Sequence, residues 1–291
     1  MRYKYPKQRH QNLRICSCWA FSIQQQSKAS PFARCKMAFS LKNNFVSSTT
    51  YNTLPRLYEV AAVPKDHADD LNALRALLVK HSIPSSVSVR LIHKHFDTTD
   101  GEVMAFKEVP VPSQGTVYSL GPLKPIQESL QLRPVHYYID ETGSFQAYEY
   151  TSAQVPDLSG YQSFLAEFGT LIIERGLQRK LGLKLNSKMD KTGWAEFEFR
   201  DNRTTIIIPD GMPIPDGIDP DSESNIVTEW GAMDLDGPPL QRSCYICVHT
   251  CVSHPKSKSK LQKDTEIYLG GQKIPFGSPV YTIVNAVIKV W

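Results

Sequence analysis

The segment Val87-Ser-Val-Arg-Leu-Ile-His93-Lys-His95-Phe-Asp97 constrains the fold more than any other stretch of the chain. Alternation with a period of two makes it a strand and puts Val87, Val89, Leu91, His93, His95 and Asp97 on one side of a sheet. That side changes from apolar to imidazole and carboxylate as the strand meets the turn Asp97-Thr-Thr-Asp-Gly-Glu102. A chain built this way needs a sheet with one face against a core and one end at a polar site or a solvated edge.

Elements on either side fit that sheet. Asp66 is an N-cap candidate, and Leu71, Leu74 and Leu78 recur at helical spacing until Ser82-Ile-Pro84 stops the pattern. Val87–Phe96 and Val103–Val109 read as a hairpin around the Asp-Gly turn, and Val135–Ile139 with Phe145–Tyr150 as a second. The stretch between them, from Pro110 to Pro134, reads as loop with a short strand at Thr116–Leu120. Ser159 and Gln162 stand in capping-box spacing ahead of a second helix, whose face carries Tyr161, Phe164, Leu165, Phe168, Leu171 and Ile172 and which ends at Gly176 or Gly182. Trp194–Phe199 and Thr204–Ile208 form a third hairpin. The expected class is α+β: an antiparallel sheet of hairpins with two amphipathic helices on one face. Its boundaries are a disordered basic leader over 1–53, a core domain over 54–210 and a loosely ordered extension over 211–291. Within the extension 210–224 reads as an acidic loop and 267–291 as β-prone, with a turn at Gly270-Gly271.

The runs Val89-Arg-Leu-Ile-His-Lys-His-Phe-Asp97, Gly101-Glu-Val-Met-Ala-Phe106, His136-Tyr-Tyr-Ile-Asp140 and Gln146-Ala-Tyr-Glu-Tyr150 resemble those of a group of uncharacterised proteins of filamentous fungi, over roughly Leu54 to Leu185. The resemblance implies a fungal source. It carries no activity and no functional residue.

Charge and cysteine placement narrow the classes of function. The net charge is +4, yet no Asp or Glu precedes Glu59, so the basic excess belongs to the leader. The folded part lacks the basic stripe of a nucleic-acid binder, and nucleic acid is not expected as a partner. The acid-free, Ser- and Gln-rich leader leaves a cytoplasmic protein, with translation from Met1 or Met37, and a mitochondrial presequence as its readings. No apolar run is long enough to span a bilayer. The six cysteines fall in two groups, three in the leader and three after residue 243, which is no disulfide scaffold for the middle of the chain.

Three sets of residues carry candidate chemistry. His93 and His95, two apart on a strand, can meet at one ion with Asp97 or Asp100 as a carboxylate ligand, and His136 would add a nitrogen if its hairpin lay adjacent. The alternative is a pair of strand-end histidines hydrogen-bonded to the acidic turn. Tyr137, Tyr138, Tyr148 and Tyr150 line the second hairpin, either as cross-strand packing or as the wall of a small-molecule pocket. Glu149 among them is a catalytic acid or base only if it is buried. Cys244, Cys247, His249, Cys251 and His254 have the two-residue Cys spacing of a zinc site, without the usual spacer between ligand pairs. Three functions follow: a non-catalytic accessory protein of fungal metabolism that binds a small molecule or a protein, a metal-dependent enzyme using His93, His95 and Asp97, and a zinc-stabilised interaction protein through 244–254. Zinc or another divalent metal is the cofactor the last two require.

Overall fold

A computed structural model describes residues 39–125, 131–186, 194–199, 202–209, 211–214, 225–232, 244–245, 250–253, 266–269 and 272–291. The leader up to residue 38 and the acidic loop from 215 to 224 lie outside them. In chain order the elements are β1 (Leu41–Lys42), α1 (Ser48–Asn52), α2 (Leu57–Val60), α3 (Val63–Asp66), α4 (Ala68–Lys80), β2 (Val87–Leu91), β3 (Val103–Val111), β4 (Gly115–Leu123), β5 (Arg133–Ile139), β6 (Phe145–Thr151), α5 (Gln162–Glu174), β7 (Leu181–Leu185), β8 (Trp194–Phe199), β9 (Thr204–Pro209), β10 (Ile226–Val227), β11 (Glu229–Trp230), β12 (Cys244–Tyr245), β13 (Thr250–Ser253), β14 (Glu266–Leu269), β15 (Gln272–Lys273) and α6 (Pro279–Ile288).

The α+β class holds, but the sheet is mixed. Among the described residues twelve strands join it in the order β10-β12-β8-β9-β4-β3-β6-β5-β7-β2-β11, with β1 beside β6. The contacts β3·β6, β1·β6 and β8·β12 are parallel and the rest antiparallel. The two ends of this path, β10 and β11, are separated in sequence by Thr228 alone, so the sheet curls until its ends meet and closes into a barrel. The expected pairing of Val87–Phe96 with Val103–Val109 does not form. Strand β2 stops at Leu91 and pairs with β7 and β11, while β3 pairs with β4 and β6. Alternation identifies a strand but not its partner, and the short strand expected at Thr116–Leu120 is the middle of β4, which runs nine residues. The hairpins β5–β6 and β8–β9 form as expected.

Strand alternation sorts side chains between the outside and the inside of the barrel. Outward from β2, β5, β6 and β7, Val87, Val89, Leu91, Tyr137, Ile139, Phe145, Ala147 and Leu183 share one buried cluster with Leu71, Leu74 and Leu78 of α4 and Phe164, Leu165, Phe168 and Ile172 of α5. Helix α5 is ended by Gly176, whose φ of +63° suits the left-handed C-terminal turn closed by Leu177 N–H donating to the Ile172 carbonyl. The N-cap of α4 is His67 rather than Asp66, which closes α3. The far side of the barrel is covered by α6, whose Val280, Ile283, Val284 and Val287 pack with Phe197, Phe199, Ile206 and Ile208. The C-terminal stretch expected as β-prone is therefore partly helical. Ser278 caps α6 through its hydroxyl and Pro279 opens it, and burial outweighs the weak helix preference of its β-branched residues. Among the described residues no helix is long and apolar enough to cross a membrane.

Candidate functional site

Beside a small apolar cluster, many of the inward side chains are polar or charged: Ser88, Arg90, His93, His95, His136, Glu149, Glu196, Glu198, Thr205 and Thr228 are all buried. Such groups stay in a barrel interior only when they satisfy one another or hold something. Arg90, inward on β2, donates from Nη1 to Thr228 Oγ1 at 3.0 Å and lies 3.5 Å from Glu196 Oε1. Burial works against its charge, and Glu196, Tyr148, Glu149 and Glu229 more than offset that.

Ile92 N–H still donates to the Lys180 carbonyl in the register of the β2–β7 ladder, but Lys94 N–H donates to the Pro55 carbonyl, so the chain leaves the ladder after Ile92 and the face on which the next side chains fall changes. His93 and His95 therefore do not continue the apolar face of Val87, Val89 and Leu91. They lie on the Arg90 side, with ring centroids 4.9 Å apart. His93 Nδ1 donates to the Leu91 carbonyl at 2.9 Å, which leaves Nε2 with the lone pair, 3.4 Å from Arg90 Nη2. His95 Nδ1 pairs with Thr205 Oγ1 at 3.1 Å. Burial and the Arg90 charge hold both imidazoles neutral, His93 well below its ordinary pKa and His95 down to about 3.

Two irregularities in the β5–β6 ladder flank a second pair. The register runs Pro134↔Tyr150, His136↔Glu149, Tyr137↔Ala147, so Val135 and Tyr148 are unmatched on their strands. Bulges of this kind re-aim side chains. Here they face His136 Nδ1 onto Glu149 Oε2 at 2.5 Å, while Tyr51 Oη donates to Glu149 Oε1 at 3.2 Å. Burial, which penalises either charge, lifts Glu149 to about 8 and depresses His136, so the pair is a neutral carboxyl against a neutral imidazole at physiological pH. Glu149 Oε1 lies 4.0 Å from His95 Nε2, which ties the two pairs into one site.

His93, His95 and Glu196 each bring a ligand atom within 4.8 Å of the other two. Asp97 is not among them. Its side chain is 53% exposed and bridges Arg56 and Lys94 outside the barrel, because the chain has turned away from the interior by that point. His136 is taken by Glu149, and its Nε2 has no hydrogen-bond partner among the described residues. Glu196 fills the place expected for Asp97. In Glu196-Phe-Glu-Phe199 the glutamates alternate with phenylalanines, a pattern that ordinarily reads as a solvated face over a core. Barrel closure turns that face inward, and no local signal announces it.

The four tyrosines divide between two cores. Tyr137 and Tyr150 point outward into the helix-covered cluster, and Tyr138 and Tyr148 inward beside Tyr51, Ile92 and Met104. The Tyr150 hydroxyl is bound to the Asn44 and Ala147 carbonyls, and that of Tyr137 to Asn43. In the cysteine cluster, Cys244 opens β12 and Cys251 lies in β13, while Cys247, His249 and His254 lie outside the described residues. No family model, no curated protein and no solved structure matches this chain.

Proposed function

We propose that the barrel interior binds one divalent transition-metal ion through His93, His95 and Glu196, and that the chain is a metal-binding protein by virtue of that site. The convergence of the three ligand atoms within 4.8 Å, two from the segment that follows β2 and one from β8, carries the reading. Two neutral imidazoles and one carboxylate suit zinc or iron(II) and are poor for calcium or magnesium, which favour oxygen. The Nδ1–H of His93 is anchored on a carbonyl, the outer hydrogen bond that metal-bound histidines ordinarily make. Glu196 turns Oε1 toward Arg90 and has no hydrogen-bond partner on Oε2 among the described residues, so Oε2 is the oxygen offered to an ion.

A catalytic use of the ion is a second reading, favoured by Glu149 at 4.0 Å from His95. A bound metal would act as a Lewis acid, with Glu149 as the acid or base beside it.

Metal content of the full chain, purified without added metal and then titrated with cobalt(II), tests the proposal. About one ion per chain is expected, with visible cobalt absorption, both lost in His95→Asn and weakened by about tenfold or more in Glu196→Gln. Cys244→Ser/Cys247→Ser should leave both intact. A folded protein that takes up neither metal, or one that loses it with the cysteine pair alone, overturns the assignment.

A further inference from the structure

Outside the barrel, on the other side of the His93–His95 segment, a cleft of about 570 Å³ opens between the end of α1, the start of α2 and the turn ahead of β7. Its volume is that of a small-molecule site. Arg56, Lys94, Arg179 and Lys180 line it, with Glu59 the one carboxylate in its wall. We propose that this cleft binds a small phosphate-bearing anion, a site separate from the interior metal centre and independent of it.

The charge balance is the first argument. Glu59 accepts the Arg56 backbone N–H at 2.6 Å and adds one negative charge, and Asp97, behind the wall, bridges Arg56 and Lys94 at 3.0 and 2.8 Å. Arg179 and Lys180 have no carboxylate at ion-pair distance among the described residues. Four cations against two carboxylates leave an excess of two, which matches a phosphate monoester dianion.

Positioning is the second. Arg179 holds φ at +60°, a left-handed conformation that a long side chain seldom adopts. Backbone strain of this sort persists where the surroundings impose it, and it collects at ligand clamps. Arg179 Nη1 is fixed on Thr53 Oγ1 at 3.2 Å, which leaves other donors of its planar fork for an oxyanion. Lys180 donates to His67 Nε2 at 3.1 Å, and His67 Nδ1 lies 3.3 Å from Asp70 Oδ2, so the ammonium is oriented from behind while keeping two donors. Glu59 in the wall and Asp97 behind it weigh against an extended polyanion such as nucleic acid.

Calorimetric titration of the full chain with inorganic phosphate, pyrophosphate and glucose 6-phosphate, each against sodium chloride of matched ionic strength, tests the proposal. Saturable one-to-one binding of at least one phosphate compound is expected, and the preferred probe tells a free phosphate from an ester. Arg179→Gly is the decisive variant, because glycine accepts φ of +60° and the fold should hold or gain in Tm while affinity falls about tenfold or more. Lys180→Gln should weaken the same probe without loss of fold. Absence of saturable binding, or affinity unchanged in both variants, overturns the proposal.

Discussion

At the scale of residues, the interior is a set of groups whose protonation the fold dictates, and this sets its response to pH. In the metal-free protein Glu149 keeps its proton up to about 8, whereas in the unfolded chain it loses it in the ordinary carboxyl range. Between those limits the folded state binds the extra proton, so this contribution to stability declines as pH rises through the window. His93, His95 and His136 act in the opposite sense, since they stay neutral when folded and take up protons when unfolded below about pH 6.5. Below that point three histidines oppose one carboxyl, and the net of two protons amounts to roughly 2–3 kcal/mol of stability per pH unit. Tm of metal-stripped protein should therefore peak near pH 6.5–7 and fall more steeply on the acid side. A flat profile between pH 5 and 8 would reject these protonation states. Of these residues, the sequence displays His93 and His95 as a pair because they are two positions apart. It conceals Glu196 because this third member of the proposed ligand set arrives from a strand about a hundred residues later, in a pattern that reads as solvated.

At the scale of elements, legibility follows locality. The two long helices and the hairpins β5–β6 and β8–β9 are written in contiguous patterns and form as read, but neither helix takes the N-cap its sequence offers: α4 is capped at His67 rather than Asp66, and α5 begins after Tyr161 with no capping box from Ser159 and Gln162. The partner of β2 is not local, so alternation alone joins it to β3, wrongly. Helix α6 could have been found from Ser278-Pro279, an N-cap followed by proline in the first turn. One glycine fixes how closely two of these strands approach. A Cβ on Gly182 of β7 would lie 2.0 Å from the Tyr137 carbonyl oxygen of β5, a backbone atom with no rotamer to change. Gly182→Ala should cost roughly 3 kcal/mol or more, measured by denaturant unfolding, because β5 and β7 must separate. A cost under about 0.5 kcal/mol, the level of an ordinary surface change, would show that the strands are not held that tightly.

At the scale of the whole molecule, curvature gives the alternating pattern its meaning, since the same strands laid flat would carry their histidines and glutamates into water. Closure rests on Ile226–Trp230, five residues that pair with β12 at one end and with β2 at the other. Thr228 between them accepts from Arg90 through its hydroxyl and from the Leu91 N–H, at 2.8 Å, through its carbonyl. Trp230 stands opposite Val89, so Trp230→Pro cannot donate there, whereas Trp230→Phe keeps both the donor and the bulk. The proline variant should shift to dimers or larger species in size-exclusion chromatography while the phenylalanine variant elutes as the parent does, and identical elution of all three would deny the segment this role. The clasp also has a consequence in time. It is synthesised some 140 residues after the strand it must meet, so the nascent chain carries β2 as a bare edge, ready to recruit a neighbouring copy, until the clasp emerges.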